Sequence, residues 1–305
     1  MITNLNPNSA IFLANTERLE QSLADVTNEI SSGYRVSAAS DDPDQIEALV
    51  QLQTDQQQNT QIESNLSSAT ADADSADTAL SSAIQLMDTA VSLATQGASA
   101  TTTSQGRQSL AQQIAAIQQQ IVSYSQTQVT GRYIFSGDQD NSPSYQLDLT
   151  ATAGPAATSG VDQLSDAAAT RQIQDPAGGQ FAASETAQQI FDAPGASVFA
   201  ALNSLRLNLL ANNLTGVENS IPALQAASAQ LNAGEAFYGN EEDQIDNANA
   251  FAGQYSTQLQ TEIGNIQDAD VAQAATQLTQ GNTDLQAAFQ AEGKMPTTSL
   301  FNYLG

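Results

Sequence analysis

The stretch from Pro43 to Gln96 contains no glycine, and no proline after its first residue. Its apolar residues recur in two complementary seven-residue registers: Leu52, Leu66, Ala73, Leu80 and Met87, and Ile62, Ala69, Ala76, Ala83 and Ala90. A heptad pattern sustained over such a length is typical of a long helix paired with other helices. A helix over the whole stretch would span roughly 80 Å, which is too long for an ordinary globular domain. The pattern therefore predicts a helical rod.

Both ends of this stretch carry signals for a helix terminus. Asp42 is a capping residue type, Pro43 suits the first helical position, and Gln45 completes a capping-box-like pattern. Gly97 follows the last helical residue, where a left-handed conformation is tolerated. We expect one helix from Pro43 to Gln96.

Apolar stripes at helical spacing predict further helices on both sides. The first runs from about Pro7 to Ser32 and ends at Gly33; a third runs from about Gln105 to Val129 and is closed by Gly131. Helical pattern returns at Ser197, a long helix starts near residues 215–222, and a last helix follows Asp268 and ends before Gly293. The long helix carries its own heptad series: Leu224, Leu231, Tyr238, Ile245, Ala252, Leu259 and Ile266.

The segment between Asp138 and Gly195 has a different texture, with four of the chain's eight prolines and no clear helical period. Tyr145, Leu147 and Leu149 alternate with polar residues, and residues 171–173 and 180–181 are candidates for further short strands. We interpret this segment as a small β-rich or irregular insertion.

These elements predict a mainly α fold. An elongated antiparallel helical bundle, or coiled-coil rod, is formed by the N- and C-terminal segments and carries a small β-containing or irregular inserted outer domain. We divide the chain into an N-terminal assembly helix and connector, the N-terminal half of the rod, the inserted domain, the C-terminal half of the rod, and a C-terminal assembly helix and tail. Their boundaries are 1–42, 43–137, 138–196, 197–264 and 265–305.

Composition excludes several classes of function. The chain has no cysteine and no histidine, and its formal net charge is -26. The usual zinc, iron–sulfur and haem ligands are therefore missing, as are catalytic dyads and triads built on those residues. So acidic a chain is repelled by nucleic acid and by anionic membranes, and no apolar run approaches the roughly 20 residues of a membrane span. We predict no enzymatic activity, no catalytic residue, no cofactor, no metal, no nucleic-acid partner and no membrane insertion.

Two acidic segments resemble calcium ligands only superficially. Residues 138–141 lack the glycine and closing glutamate of an EF-hand loop. Asp72 and Asp74 are two apart on a helix, where side chains do not face each other. We interpret both as solvated acidic surface. A pair of carboxylates for glycoside hydrolysis is not excluded by the sequence, because acidic residues are abundant. No spacing in the sequence brings a particular pair together.

Several motifs carry a resemblance to a known family. Residues 31–36 (SSGYRV) and 40–43 (SDDP) resemble the segment that follows the first helix of bacterial flagellins and their hook–filament junction relatives. Residues 131–137 (GRYIFSG) are similar to the block where, in the junction relatives, the third helix leads into the outer domain. Residues 266–270 (IQDAD) and the ending 299–304 (SLFNYL) also look like this family. The motif residues are Gly33, Arg35, Asp41, Asp42, Pro43, Gly131, Arg132, Tyr133, Phe135 and Gly137.

The resemblance implies an extracellular structural protein of the bacterial flagellum, exported without a cleavable signal peptide and joining hook to filament. Its implied partners are further copies of itself, another hook-associated protein, flagellin and an export chaperone. Two alternatives stay open: a flagellin that forms the bulk of the filament, and a secreted binding module or adhesin that acts through the insertion.

We expect the terminal segments to form the contacts between subunits. The predicted interface residues are Phe12, Leu19, Leu23, Val26, Ile30, Val271, Leu278, Leu285, Leu300, Phe301, Tyr303 and Leu304. The last four form an apolar cluster on an otherwise polar chain, which favours burial against a neighbouring subunit; a tail folded back on its own helix is the alternative.

Overall fold

The computed structural model describes residues 7–167 and 169–294, with side chains described from residue 10 onward. The chain divides into two compact units. Unit 1 contains the described parts of residues 1–58 and 255–305, and unit 2 contains residues 59–254 apart from residue 168. The predicted tail residues Leu300, Phe301, Tyr303 and Leu304 lie outside the described residues.

Unit 1 is built on two helices from opposite ends of the chain, α1 (Pro7–Ser32) and α8 (Val271–Glu292). They pack in opposite directions, since Phe12 contacts Phe289 while Leu23 lies against Gly281. Asp270 caps α8, because its carboxylate accepts hydrogen bonds from the first free amides of that helix. The predicted bounds of both helices are confirmed.

Two long helices contribute residues to each unit: α2 (Ile46–Ala98) and α7 (Leu214–Gln267). In unit 2 they run in opposite directions, because Asn59 donates to the Ala252 carbonyl while Gly97 lies beside Val217. α3 (Ser104–Ser125) and α6 (Val198–Leu210) also belong to unit 2. The heptad residues of α2 from Leu66 onward are buried, as are those of α7 from residue 224 to residue 252.

The described residues between α3 and α6 contain three antiparallel strand pairs, two one-turn α-helices and a 3-10 turn at Gly137–Gln139. The pairs are β1 (Gln128–Val129) with β2 (Arg132–Tyr133), β3 (Tyr145–Leu147) with β4 (Val161–Gln163), and β5 (Gln172–Gln174) with β6 (Gln180–Ala182). The helices are α4 (Pro155–Ser159) and α5 (Ala187–Phe191). The predicted mainly helical fold with a small β-containing insertion is confirmed.

Three predicted helix boundaries are wrong. α2 ends at Ala98 rather than Gln96, because Gly97 is a buried helical residue that lies against Leu209 and does not stop the helix. α2 begins at Ile46 rather than Pro43, because residues 43–45 form turns and the Asp42 carbonyl accepts hydrogen bonds from Gln45 and Ile46. α3 ends at Ser125 rather than Val129, because residues 128–129 pair as a strand with residues 132–133.

The insertion shares one hydrophobic core with the helices of unit 2. Tyr145, Ile173 and Phe191 of the insertion belong to the same buried cluster as Leu80 and its heptad neighbours. A core this continuous means that deleting residues 140–195 would open the interior of unit 2 rather than remove a separate module.

Candidate assembly site

The connector after α1 is attached to the end of α7 by backbone hydrogen bonds within unit 1. Gly33 ends α1 with φ +77°, and its carbonyl accepts from the Ala269 amide at 2.9 Å. Tyr34 and Asp268 form an antiparallel bridge, and the Arg35 amide donates to the Gln267 carbonyl at 2.7 Å. Residues 31–36 and 266–270, two of the segments that resemble the flagellin family in sequence, are therefore in contact in the structure.

Arg35 joins three parts of this connector. Its guanidinium donates to the Ile266 carbonyl at 2.8 Å and to the Asp42 carboxylate at 3.1 Å. The first bond satisfies a carbonyl at the C-terminal end of α7, where a cation is also favoured by the helix dipole. The Arg35 side chain is 44% exposed, so its ion pair with Asp42 contributes little, about 1 kcal/mol or less. Arg35 therefore acts mainly by holding the connector against the C-terminal end of α7.

Asp41 organises the turn before α2. Its carboxylate accepts from the amides of Ala38 at 2.7 Å and Ser37 at 2.9 Å. These N–H groups, that of Ala38 foremost, hold the pKa of the Asp41 carboxyl below its ordinary value. Pro43 follows two residues later, before the first residue of α2. Asp41, through the Ser37 and Ala38 amides, and Asp42, through Arg35, therefore hold the connector before α2 in place.

The block 131–137 forms a tight hairpin and a chain junction in unit 2. Thr130 and Gly131 occupy the turn between β1 and β2 with φ values of +51° and +80°. Positive φ at both central residues is the pattern of a type I′ hairpin turn. Gly131 is thus a turn residue of the hairpin, and not the helix terminus that the sequence predicted.

Phe135 and Gly137, in the second half of this block, are buried in the core of unit 2. Phe135 is fully buried, with edge-to-face ring contacts to Phe191 at 5.6 Å and to Tyr238 of α7 at 6.1 Å. Gly137 has φ +52°, and a Cβ placed there would lie 2.4 Å from the Ala169 carbonyl oxygen. The amide of Tyr133 donates to the carbonyl of Asp140 at 2.8 Å. The block therefore links α3 to the insertion and to α7.

Arg132 exposes an error in the sequence interpretation of Asp72. Asp72 is only 6% exposed, and its Oδ2 receives the guanidiniums of both Arg132, at 3.5 Å, and Arg171. Asp140 is a second partner of Arg132 at 3.5 Å. Asp74, in contrast, is exposed as expected. The predicted solvated acidic surface is therefore wrong for Asp72, which is a buried anchor for two arginines.

The apolar stripe of α1 packs against α8 of the same chain. Val26 is buried, and Phe12, Leu19, Leu23 and Ile30 are partly buried. On α8, Leu278 and Leu285 are partly buried, while Val271 is 49% exposed. Ile11, Leu13 and Phe289 are also large apolar side chains with more than half of their surface exposed. Contacts between subunits by any of these residues stay a prediction.

Sequence reasoning missed several polar residues that hold the insertion in place. The side-chain amide of Gln118, on α3, donates to the Ser159 carbonyl at 2.7 Å. The side-chain amide of Asn203, on α6, donates to the Thr158 carbonyl at 2.9 Å. Both side chains are buried and satisfy carbonyls at the end of α4. No periodic pattern marks these residues; a polar residue inside an apolar helical face was the available signal.

Neither a metal site nor a membrane span is found in the described structure. Within the described part of the chain, no group of three or more Asp, Glu, His or Cys side chains is arranged to hold a metal ion. Among residues 7–167 and 169–294, no helix combines the length and the apolar character needed to cross a membrane.

Both ends of the chain match models of known protein families. Residues 3–140 match the model of the bacterial flagellin N-terminal helical region, and residues 221–304 match that of the bacterial flagellin C-terminal helical region. The two matches flank the insertion and include the connector, the block 131–137 and the tail. No curated protein sequence matches the chain.

Solved structures share the fold. A protein of Vibrio parahaemolyticus described as a flagellar hook-associated protein is 18% identical, with a TM-score of 0.63 over 75% of this chain and 100% of that one. The flagellar hook-associated protein-3 of Legionella pneumophila is 12% identical, with a TM-score of 0.61 over 73% and 99%. FlgL of Xanthomonas campestris is 15% identical, with a TM-score of 0.57 over 72% and 99%. At these identities the likeness is one of fold.

Proposed function

Because the chain belongs to the bacterial flagellin family, we propose that it is the flagellar subunit that joins the hook to the filament. At the coarser level it is a structural protein of the flagellum rather than an enzyme. Its work is then done by interfaces between subunits, without turnover of a substrate.

The observation that carries the junction role is the set of structures that share this fold. One of them is described as the flagellar junction protein FlgL of Legionella pneumophila, with 12% identity and a TM-score of 0.53 over 67% of this chain and 99% of that one. The hairpin block 131–137 supports the same assignment, because its sequence resembles the junction relatives more than the flagellins.

The terminal helices supply the interface in this proposal. Ile11 and Leu13 on α1, and Phe289 on α8, are 60%, 58% and 51% exposed. Apolar side chains this exposed on a protein surface favour burial by a partner. In the proposed assembly that partner is a neighbouring copy, with another hook-associated protein on the hook side and flagellin on the filament side. The C-terminal tail, residues 299–304, adds to the same interface.

Export to the cell exterior completes the proposal. We place the assembled protein in the extracellular flagellum, delivered by the flagellar export apparatus with the help of a chaperone. A mainly helical chain with many local contacts and no disulfide refolds quickly after such transport.

Gene disruption tests the junction role directly. Cells that lack this protein should assemble hooks without filaments and shed flagellin into the medium. In flagella purified from wild-type cells, the protein should be a trace component relative to flagellin. If it is the bulk subunit instead, the chain is a flagellin and the junction role is wrong.

A point variant tests the proposed interface. Leu13→Ser removes apolar area from an exposed position, so it should reduce incorporation into flagella while leaving the helical content of the isolated protein unchanged. Ala14→Ser introduces the same residue at the next exposed position, where little apolar area is lost, and this matched control should incorporate normally. Normal incorporation of Leu13→Ser would remove this surface from the interface.

A further inference from the structure

The hairpin of residues 171–183, called the strap below, is a small element with little internal stability. It consists of β5, β6 and the turn between them, in which the Asp175 amide donates to the Gly179 carbonyl. At its base the Ala183 amide donates to the Arg171 carbonyl at 2.8 Å. A two-stranded hairpin is at best marginally stable by itself in water. Its position therefore depends on what it contacts in the rest of unit 2.

Open grooves separate much of the strap from the helices. On one side, a groove of about 400 Å³ lies between strap residues and Asn65 and Ser68 of α2. On the other, a groove of about 260 Å³ lies between Phe181 of the strap and Ala248 and Phe251 of α7. The apolar contacts of the strap with the core come from three residues: Ile173, which is 6% exposed, Ala183, which is 7% exposed, and the partly buried Phe181.

The polar attachment is the ion pair between Arg171 and Asp72. Asp72 lies on α2 and is almost fully buried, whereas the Arg171 side chain is one-third exposed. A charge-assisted hydrogen bond to a buried carboxylate is among the stronger polar contacts in proteins. It joins the base of the strap directly to α2.

Arg132 makes this attachment releasable. It binds the same Oδ2 of Asp72 from the neighbouring hairpin at 3.5 Å. If the strap leaves and takes Arg171 with it, Asp72 keeps Arg132 as its counter-charge. The large penalty of leaving a buried carboxylate unpaired is therefore avoided.

We propose that the strap is a separately opening element of unit 2, held closed by Arg171 on Asp72, while Arg132 keeps the buried charge paired in the open state. Opening uncovers Ile173 and Phe181 without disrupting the rest of the core. This inference goes beyond the proposed function and does not depend on it.

Native-state hydrogen exchange of the full chain tests the proposal. In the wild-type protein, amides of β5 and β6 should exchange through a local opening whose rate is nearly independent of urea, whereas β3 amides should follow global unfolding. Arg171→Gln removes the attachment, so exchange of the strap amides should rise roughly tenfold to a hundredfold, while β3 exchange stays unchanged.

Two variants serve as controls. Arg18→Gln makes the same change in net charge at an exposed position on α1 and should leave the strap unchanged. Arg132→Gln leaves Arg171 on Asp72 but removes the counter-charge of the open state, so strap exchange should fall below the wild-type rate instead of rising.

Three results would overturn the proposal. One is strap exchange in Arg171→Gln within twofold of the wild-type rate. Another is an equal increase at β3 and at the strap, since the hairpin would then open only with the whole unit. Wild-type strap amides that exchange only through global unfolding would have the same meaning, even if the variant fails to fold.

Discussion

Replacing Phe135 should reveal how firmly the block 131–137 is tied into the core of unit 2. The side chain is fully buried and makes edge-to-face contacts with Phe191 and Tyr238. Each aromatic pair is worth about 0.5–1.5 kcal/mol beyond the buried area. Phe135→Leu keeps most of the apolar volume but loses both pairs, so it should lower the free energy of unfolding by about 1–3 kcal/mol. Phe135→Ala, which also leaves a cavity, should cost about 3–5 kcal/mol.

Urea denaturation measures this loss. Because the chain has no tryptophan, unfolding is followed by far-UV circular dichroism for helix and near-UV circular dichroism for the tyrosine and phenylalanine rings. With a denaturant slope of about 2 kcal/mol per molar urea, a loss of about 2 kcal/mol lowers the midpoint by about 1 M. Both signals should shift together in Phe135→Leu.

A matched phenylalanine provides the control. Phe251 lies on α7 in the same unit, but its side chain is 46% exposed. Phe251→Leu should therefore change the free energy of unfolding by less than about 1 kcal/mol. If the urea midpoint shifts no more in Phe135→Leu than in Phe251→Leu, the conclusion that Phe135 anchors the block 131–137 in the core is refuted.

Two further predictions concern backbone strain and pH. Gly137→Ala should lower the free energy of unfolding by about 2 kcal/mol or more, because the residue has positive φ and the added Cβ would clash with a backbone carbonyl. Gly131→Ala should lower it by about 1 kcal/mol, because that residue has positive φ but open space around it. Urea denaturation midpoints of the two variants measure the difference. Burial raises the pKa of the Glu241 carboxyl above its ordinary value of 4.5. The folded state therefore binds this proton more tightly than the unfolded state, so the contribution to stability is full below pH 4.5 and is lost as the pH rises through the folded pKa. Glu241→Gln should raise the melting temperature at about pH 7.5 and lose that advantage near pH 4, whereas exposed Glu218→Gln should show no such pH dependence; a constant difference across this range would contradict the assignment.

The sequence predicted the long helices well because their signal is local and repeated. Seven-residue spacing identifies α2 and α7, and the heptad residues from Leu66 to Ala94 on α2 are buried as that spacing requires. The starts of α6 and α8 were predicted from where the helical pattern begins; the structure adds that Ser197 and Asp270 cap these two helices.

The β1–β2 hairpin was missed because its turn lacks the usual sequence signal. Thr130 adopts positive φ, whereas Asn or Asp before glycine is the common pair in a type I′ turn. No glycine or proline lies between the apolar stripe of α3 and Gly131, so the predicted helix extended through Val129 into the strand. The one-turn helices α4 and α5 are too short to show any period.

The sequence by itself determined the mainly helical fold, the ends of most helices and the chain segments that resemble flagellins. Only the tertiary structure decided that Asp72 is buried between Arg132 and Arg171, and that the insertion completes the core of unit 2. The physical reason is the range of the interactions. Helical periodicity and capping act over a few residues, whereas Asp72 lies 60 and 99 residues away from its two arginines, and a pairing over that distance leaves no local pattern in the chain.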